Sequence, residues 1–555
     1  MVSVWRNAVR LSLLAWVSRV AATTSSCSVE SIDAFFSDED AAQTLMVTHL
    51  GPNGTFGQAN DIAYPTNATH LPALCVALVN VTSSPTSSYT FGLFLPDDWN
   101  SRFLAVGNGG FSGGINWYDM GTGVKYGFAS MSTSTGHNST GQDMGWALNN
   151  PEVKRDWAGR SLHGSVVLSK KIINGYYGVA ANTSLYSGCS TGGRQGIKSA
   201  QDHPEDFDGI LAGAPAWHST NQQLWQLKVG AINLPEDSPR YIPTSAFAMI
   251  SDEVLRQCDG SDGMKDGIIM DPNRCNFRPE KLLCGPNPSN QSACLTAAQV
   301  STLKQLYMPM IEFDADVHDL TFMYPNFGVG SEIQMPSSFG QNNTPSLYGT
   351  EYAKYFIFDD PSWDWETSFN YSTFVEAATI NPGNVNALNY NLSAFHSRGG
   401  KILTYHGYAD GLIPTDASRE LYDQTWTEMA LQGVDMDEFY RLFFVPGMQH
   451  CSGSVYDAPW YFGGNNHASL LEENGQHEFP LPGRNESDHD ALLALMDWVE
   501  AGTAVERLVS VKFNNDTVSK GVLRERPICK YPMFAAWDGT GDADWASSWA
   551  CTEYE

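Results

Sequence analysis

The 555-residue chain carries 61 acidic against 32 basic side chains, a formal net charge of -29 that would repel a phosphate backbone and argues against nucleic acid as a ligand. With 42% hydrophobic, 12% aromatic and 17% charged residues, its composition is globular rather than disordered or fibrous. The length allows three or four domains, or one large α/β core with an insertion.

The chain opens MVSVWRNAVRLSLLAWVSRVAATTSSC, with Arg6 and Arg10 ahead of an apolar run from Leu11 to Val17 and then small residues. That layout predicts a secretory signal peptide over 1–22, with cleavage between Ala21 and Ser26. No later run reaches the ~20 apolar residues that a membrane span needs, so a soluble exported protein is expected. Eleven N-x-[ST] sequons agree with export and predict N-linked glycans, at Asn53, Asn67, Asn80, Asn138, Asn182, Asn290, Asn342, Asn370, Asn391, Asn485 and Asn515. Ten cysteines, an even number in an oxidising compartment, predict five disulfides.

Short apolar runs then alternate with glycine-rich turns. In SRFLAVGNGGFSGG an apolar strand runs into GNGG at 107–110. In TSLYSGCSTGGRQGIKSAQDHPEDFDGILAGAPA a strand ends at a serine turn, a helix is predicted from Gly192 to about Asp202, and DGILAGAPA reads as another buried strand. Strand, helix, strand predicts a parallel sheet. From His218 to Ala387 the pattern changes to segments rich in Pro, Asn, Trp and Tyr, which reads as an inserted domain over 218–387 between catalytic segments 23–217 and 388–555. Alternation resumes in GGKILTYHGYADGLIP and FYRLFFVPGMQHCSG, two strands that each end in a polar loop.

G-x-S-x-G between a strand and a helix is a nucleophile elbow: small flanking residues permit the tight turn, and the helix N-terminus favours the negative charge that develops in acyl transfer. Ser190 is the candidate nucleophile. Such an elbow needs an acid and then a base later in the chain, each after a sheet strand. Asp410 follows KILTYHG and His450 follows YRLFFVPG, whereas Asp416 and Asp423 fall in the following predicted helix. His406, inside a strand pattern, reads as a structural histidine. Two backbone N–H groups are expected to hold the oxyanion, that of Thr191 and one from Gly109 or Gly110.

Cys189 precedes the nucleophile and Cys451 follows the base. If Ser190 and His450 come within hydrogen-bond reach, these two cysteines fall within the Cα separation of ~4.4 to 6.8 Å that a disulfide requires. A second candidate site is CDGSDGMKDGII at 258–269, where Asp259, Asp262 and Asp266 put three carboxylates on a glycine-rich loop that suits calcium. Its acidic spacing is not that of an EF-hand.

The stretches GCSTGGRQG, HGYADGLIP and GMQHC resemble the fungal tannase and feruloyl esterase family, in which a disulfide joins the residues beside nucleophile and base; the bacterial mono(2-hydroxyethyl) terephthalate hydrolases are similar. YGFASMSTSTGHNST and PEDFDGILAGAPAW look closer to the feruloyl esterase branch. The resemblance implies an α/β-hydrolase fold with a large inserted lid, and a structural calcium ion whose ligands include the backbone carbonyls of Met264 and Ile268. It also implies the pairs Cys27 with Cys75, Cys258 with Cys275, Cys284 with Cys294 and Cys529 with Cys551. The expected function is that of a secreted serine esterase acting on feruloyl and related phenolic esters of the plant cell wall. A tannase acting on galloyl esters is the alternative within the class, and an inactive glycan-binding glycoprotein the alternative outside it. Trp363, Trp365 and Tyr371 are lid aromatics that could line a pocket for either ring. A lipase is disfavoured because the lid lacks a long amphipathic apolar helix.

Overall fold

The computed structural model describes residues 26–286, 293–314, 319–471, 479–481 and 483–553; the expected signal peptide and the Asn290 sequon lie outside them. Nine strands form one sheet: β1 (Ala42–Leu50), β2 (Leu74–Ser84), β3 (Ser87–Pro96), β4 (Arg102–Val106), β5 (Ala129–Thr133), β6 (Thr183–Cys189), β7 (Gly209–Gly213), β8 (Lys401–Gly407) and β9 (Tyr440–Val445). Their spatial order is β1-β2-β3-β5-β4-β6-β7-β8-β9. The pairs from β1 to β5 are antiparallel, and every pair from β5 to β9 is parallel.

Parallel neighbours need crossovers. Helices α1 (Trp117–Lys125), α2 (Ser161–Tyr177) and α3 (Thr191–Asp202) supply three of them; α4 (Ser219–Asn233) starts the insertion, α5 (Asp416–Leu431) joins β8 to β9, and α6 (Ala491–Ala501) follows. Side chains alternate faces with a period of two along each strand. Tyr440, Leu442 and Phe444 of β9 belong to the core that holds Val166 of α2 and Leu421 of α5, while Phe443 and Val445 belong to the one that holds Met120 of α1 and Leu495 of α6. Because helices cover both faces, β6 and β7 are buried along their whole length.

Asp490 caps α6, accepting the N–H groups of Leu492 and Leu493 at 3.0 Å each and the hydroxyl of Tyr126. Burial nonetheless pushes its carboxyl up to about 6 from 3.8. Between those values the folded chain keeps a proton that the unfolded chain has released, so the stability contributed here is present at low pH and is lost as pH rises from about 4 to about 6. Asp490→Asn keeps the cap acceptor and is expected to flatten that part of the stability curve; denaturant titrations at several pH values check it, and an unaltered slope would count against it.

Residues 218–387 leave the sheet after β7 and return before β8, and the ends meet where the Ala387 N–H donates to the Trp217 carbonyl at 2.8 Å. The insertion has its own apolar centre, with Leu224, Trp225, Leu303 and Phe374 in it. That centre is continuous with Phe111 and Trp157 of the sheet-bearing part, whose rings stack at 4.6 Å. The lid therefore shares a core with the segment it covers.

Candidate active site

Ser190 stands between β6 and α3 at φ 63° and ψ -122°. For a residue with a Cβ this conformation costs on the order of 1–3 kcal/mol and persists only where its surroundings enforce it. They do so here: the Ser190 N–H donates to the Gly213 carbonyl at 2.9 Å, and the Ala216 N–H donates to the Ser190 carbonyl at 3.0 Å. The motif glycine Gly188 and Gly193, one residue past the motif, are needed for space. A Cβ on Gly188 would lie 2.7 Å from the Gly192 carbonyl carbon, and one on Gly193 would lie 2.4 Å from the Gly213 oxygen.

Asp410, fully buried after β8, accepts a hydrogen bond from His450 Nδ1 at 2.7 Å through Oδ2. Its Oδ1 accepts the N–H groups of Leu412 and Ile413 at 2.8 and 2.9 Å. Burial works against ionisation of this carboxyl, yet the charge of His450 and the hydrogen bonds from His406 and His450 outweigh it and hold it below the usual carboxylate range. With Nδ1 committed to Asp410, the other ring nitrogen of His450 is left to act as the base.

His406 does more than pack inside β8. Its Nε2 lies 3.0 Å from Asp410 Oδ2 and 3.1 Å from the Ile413 carbonyl, two acceptors that require a proton on Nε2, and its Nδ1 lies 2.7 Å from the Ser418 hydroxyl. His406 is thus the structural histidine expected, and its place in the fold is to hold the acid. Gln334, from the lid, also holds the site. Its Oε1 accepts the His450 N–H at 3.0 Å and the Gly411 N–H at 2.9 Å, tying the base loop to the acid loop. No local pattern marks Gln334 in the sequence, because its partners come from two distant strand ends.

Five disulfides are present, Cys27–Cys75, Cys189–Cys451, Cys258–Cys275, Cys284–Cys294 and Cys529–Cys551, and no cysteine is free. Cys189–Cys451 has a Cα separation of 5.9 Å and joins elbow to base loop across 262 residues. Loop-closure entropy for so long a span is on the order of 5 kcal/mol in the chain-entropy account. Replacing both cysteines by alanine is expected to lower the melting temperature and kcat together; unchanged kinetics in a folded double variant would mean that the bond positions nothing.

Ser190, Thr191, Gly109, Gly110, His450 and Cys451 line one cavity of about 340 Å³. Thr191 opens α3, so its N–H has no acceptor four residues back in the helix. The Gly109 N–H donates to the Tyr64 hydroxyl at 2.9 Å, so a carbonyl oxygen taking that N–H competes with Tyr64, a residue the sequence reading did not single out. Gly110, at φ 54°, could not carry a Cβ without approaching the Gly141 oxygen to 2.9 Å. Gln195, one turn into α3, holds this loop by accepting the Asn108 N–H at 3.0 Å. The lid residues that reach the cavity are Gln222, Gln223, Gln226 and Tyr348. Trp363, Trp365 and Tyr371 do not line it; Trp363 stacks on Phe358 at 5.4 Å instead.

In the acidic loop Asp259 Oδ1 accepts the N–H groups of Asp266 and Gly267 at 3.2 and 3.1 Å, Asp262 Oδ1 accepts that of Met264 at 2.9 Å, and Asp266 Oδ1 accepts that of Ile268 at 3.1 Å. Arg526 pairs with Asp266 through its other oxygen. Asp262 Oδ2 is buried without a hydrogen-bond partner. Burial, reinforced by the charge of Asp266, pushes Asp262 up to about 6, and burial also raises Asp259. Grouped carboxylates with an orphaned buried oxygen fit a hard cation. Their oxygens are more spread than those of His163, His203 and Glu205, the trio whose ligating atoms all lie within 4.8 Å among the described residues, so backbone carbonyls would have to complete a shell.

A strained serine between a parallel strand and a helix, with a histidine and a buried aspartate at the ends of later strands of the same sheet, defines an α/β-hydrolase with the residue set of a serine hydrolase. Residues 75–552 match the family model described as "Tannase and feruloyl esterase". A probable feruloyl esterase B-2 of Neosartorya fischeri is 36% identical over 478 residues, 86% of each chain, and a probable feruloyl esterase B-1 of Aspergillus flavus has the same identity and coverage. The crystal structure of feruloyl esterase B from Aspergillus oryzae superposes with a TM-score of 0.84 at 32% identity, covering 94% of this chain and 100% of the other. Tannin acyl hydrolase from Aspergillus niger shares the fold, with a TM-score of 0.72 at 19% identity and 95% of each chain covered. The chain belongs to the tannase and feruloyl esterase family.

Proposed function

We propose that this protein is a serine carboxylic ester hydrolase that cleaves feruloyl and related hydroxycinnamoyl esters. The observation that carries the reading is the 2.7 Å contact between His450 and the buried Asp410 at the cavity that contains the Ser190 elbow. His450 takes the Ser190 proton, the oxygen attacks the ester carbonyl, and the same imidazole, now charged and stabilised by Asp410, protonates the leaving alcohol. Water then cleaves the acyl-enzyme by the same path. Thr191 and Gly109 or Gly110 donate to the oxyanion. Relatives named feruloyl esterase B at 36% identity favour the hydroxycinnamoyl ring over the galloyl one.

Side-by-side initial rates on methyl ferulate and methyl gallate, with Ser190→Ala as control, test the reading. A higher kcat/KM on ferulate is expected; preference for gallate would make tannin esters the substrates. Covalent labelling of Ser190 by an organophosphonate separates an esterase from an inactive glycan-binding protein.

Export with N-linked glycans, and action on phenolic esters of the plant cell wall, form part of the same proposal. Five disulfides support export, and among the described residues no helix is long and apolar enough to cross a membrane. Calcium is proposed as a structural ion held by Asp259, Asp262 and Asp266 with the carbonyls of Met264 and Ile268, where it would neutralise the grouped carboxylates. Added calcium is expected to raise the melting temperature of chelator-treated protein, and Asp262→Asn to abolish the rise; an equal rise in the variant would move the ion elsewhere.

A further inference from the structure

We infer that His163, His203 and Glu205 form a binding site for a divalent transition metal ion of the zinc type, which clamps the start of α2 to the end of α3. The site lies apart from the catalytic cavity and serves the fold rather than the chemistry.

His163 is the third residue of α2, His203 directly follows α3, and Glu205 comes two residues later across Pro204. One ligating atom from each lies within 4.8 Å of those of the other two. Tetrahedral ligands about 2.1 Å from zinc stand about 3.4 Å apart, so the three atoms need only a small closure to form a shell. His203 Nδ1 and Glu205 Oε1 are 3.9 Å apart, too far for a hydrogen bond and wide enough to admit an ion between them. The rings of His163 and His203 lie face to face, with centroids 3.6 Å apart and planes inclined by 11°. Parallel planes aim their lone pairs side by side rather than at one point, so one ring has to turn. His203 has the room to do so, since its side chain is 37% exposed and borders a cavity of about 320 Å³.

His163 is already prepared. Its Nδ1 lies 3.0 and 3.1 Å from the two carboxylate oxygens of Asp206, which places its proton there and leaves the lone pair on Nε2. A carboxylate on the far nitrogen is the usual outer partner of a metal-bound imidazole, fixing its tautomer and raising its basicity. Asp206 is itself buried and accepts the Ser199 hydroxyl at 3.2 Å. The ammonium of Lys170 donates to the carbonyls of Glu205 and Asp206 at 3.1 and 2.5 Å, pinning the ligand loop to α2. The cations that line the cavity are occupied: Lys198 pairs with Asp202 at 2.9 Å, Arg155 with Glu152, and Arg160 with Glu152 and Asp156. Two imidazoles and one carboxylate suit zinc and its neighbours, whereas calcium takes oxygen ligands. Ser190 stands at the opposite end of α3, and twelve helical residues span ~18 Å, so the ion does not reach the reacting atoms.

The test is calorimetric titration of the full chain with zinc chloride in excess calcium, beside thermal melts. One zinc ion per chain and a higher melting temperature are expected. His203→Ala is expected to weaken binding at least about tenfold, the lower end of what an outer partner alone contributes, and to cancel the rise in melting temperature. Glu205→Gln, which keeps the shape and removes the anionic ligand, is expected to weaken binding as well. The side chains of His203 and Glu205 are 37% and 64% exposed, so both variants are expected to fold as the wild type does. A wild type that binds no zinc would overturn the inference, and so would wild-type affinity in His203→Ala, which would put the ion on other histidines. Ester hydrolysis plays no part in either readout, so the outcome bears on this site alone.

Discussion

Ser190→Ala is expected to lower kcat by about 10⁶ while leaving the melting temperature unchanged, the scale of loss seen when the nucleophile of a serine hydrolase is removed. The strained conformation at position 190 is fixed by backbone hydrogen bonds to Gly213 and from Ala216 rather than by the hydroxyl, so alanine can occupy it as serine does. What disappears is the oxygen that forms the acyl bond. The measurement is kcat on methyl ferulate beside a thermal melt. Activity within tenfold of wild type would remove Ser190 from the mechanism.

Asp410→Asn is expected to lower kcat by about 10⁴, the loss associated with a base held in the wrong tautomer. The Asp410 environment explains why a neutral isostere fails. Oδ1 is held by two backbone N–H groups, from Leu412 and Ile413, so an asparagine oxygen belongs there and its NH₂ must face the two imidazoles. His450 Nδ1 would then have to accept rather than donate, placing its proton on Nε2, where it blocks removal of the serine proton. His406 Nε2 already needs its hydrogen for the Ile413 carbonyl, so it would meet the new amide donor to donor. Two consequences are measurable: a changed pH dependence of kcat/KM and a lower melting temperature. A variant within tenfold of wild-type kcat, with an unaltered pH profile, would show that the acid lies elsewhere.

Much of the arrangement was legible before any fold was known, because its determinants are local. The short apolar runs in KILTYHG and YRLFFVPG mark strands buried on both faces, and these are β8 and β9. The glycines around Ser190 are a steric requirement that any elbow must meet. Cys189 and Cys451, each one residue from a catalytic candidate, bring two distant stretches together without any knowledge of the path between them, and the disulfide spans 262 residues.

The rest was decided by packing. His406 read as a core residue because a strand histidine usually is one; only the return of the Asp410 loop beneath it makes it a second ligand of the acid. The lid aromatics Trp363 and Trp365 were candidates for the pocket on residue type alone, yet the lid presents Gln222, Gln223 and Tyr348 to it instead. Gln334 reaches Gly411 and His450 from inside the insertion, a meeting that no spacing encodes.

By itself the sequence pointed to the class of chemistry, the candidate nucleophile, acid and base, and the strands that carry them, since each depends on a turn or an apolar run a few residues long. The tertiary structure alone decided how those groups are held, since hydrogen bonds of about 3 Å between residues far apart in the chain exist only once the insertion has packed over the sheet.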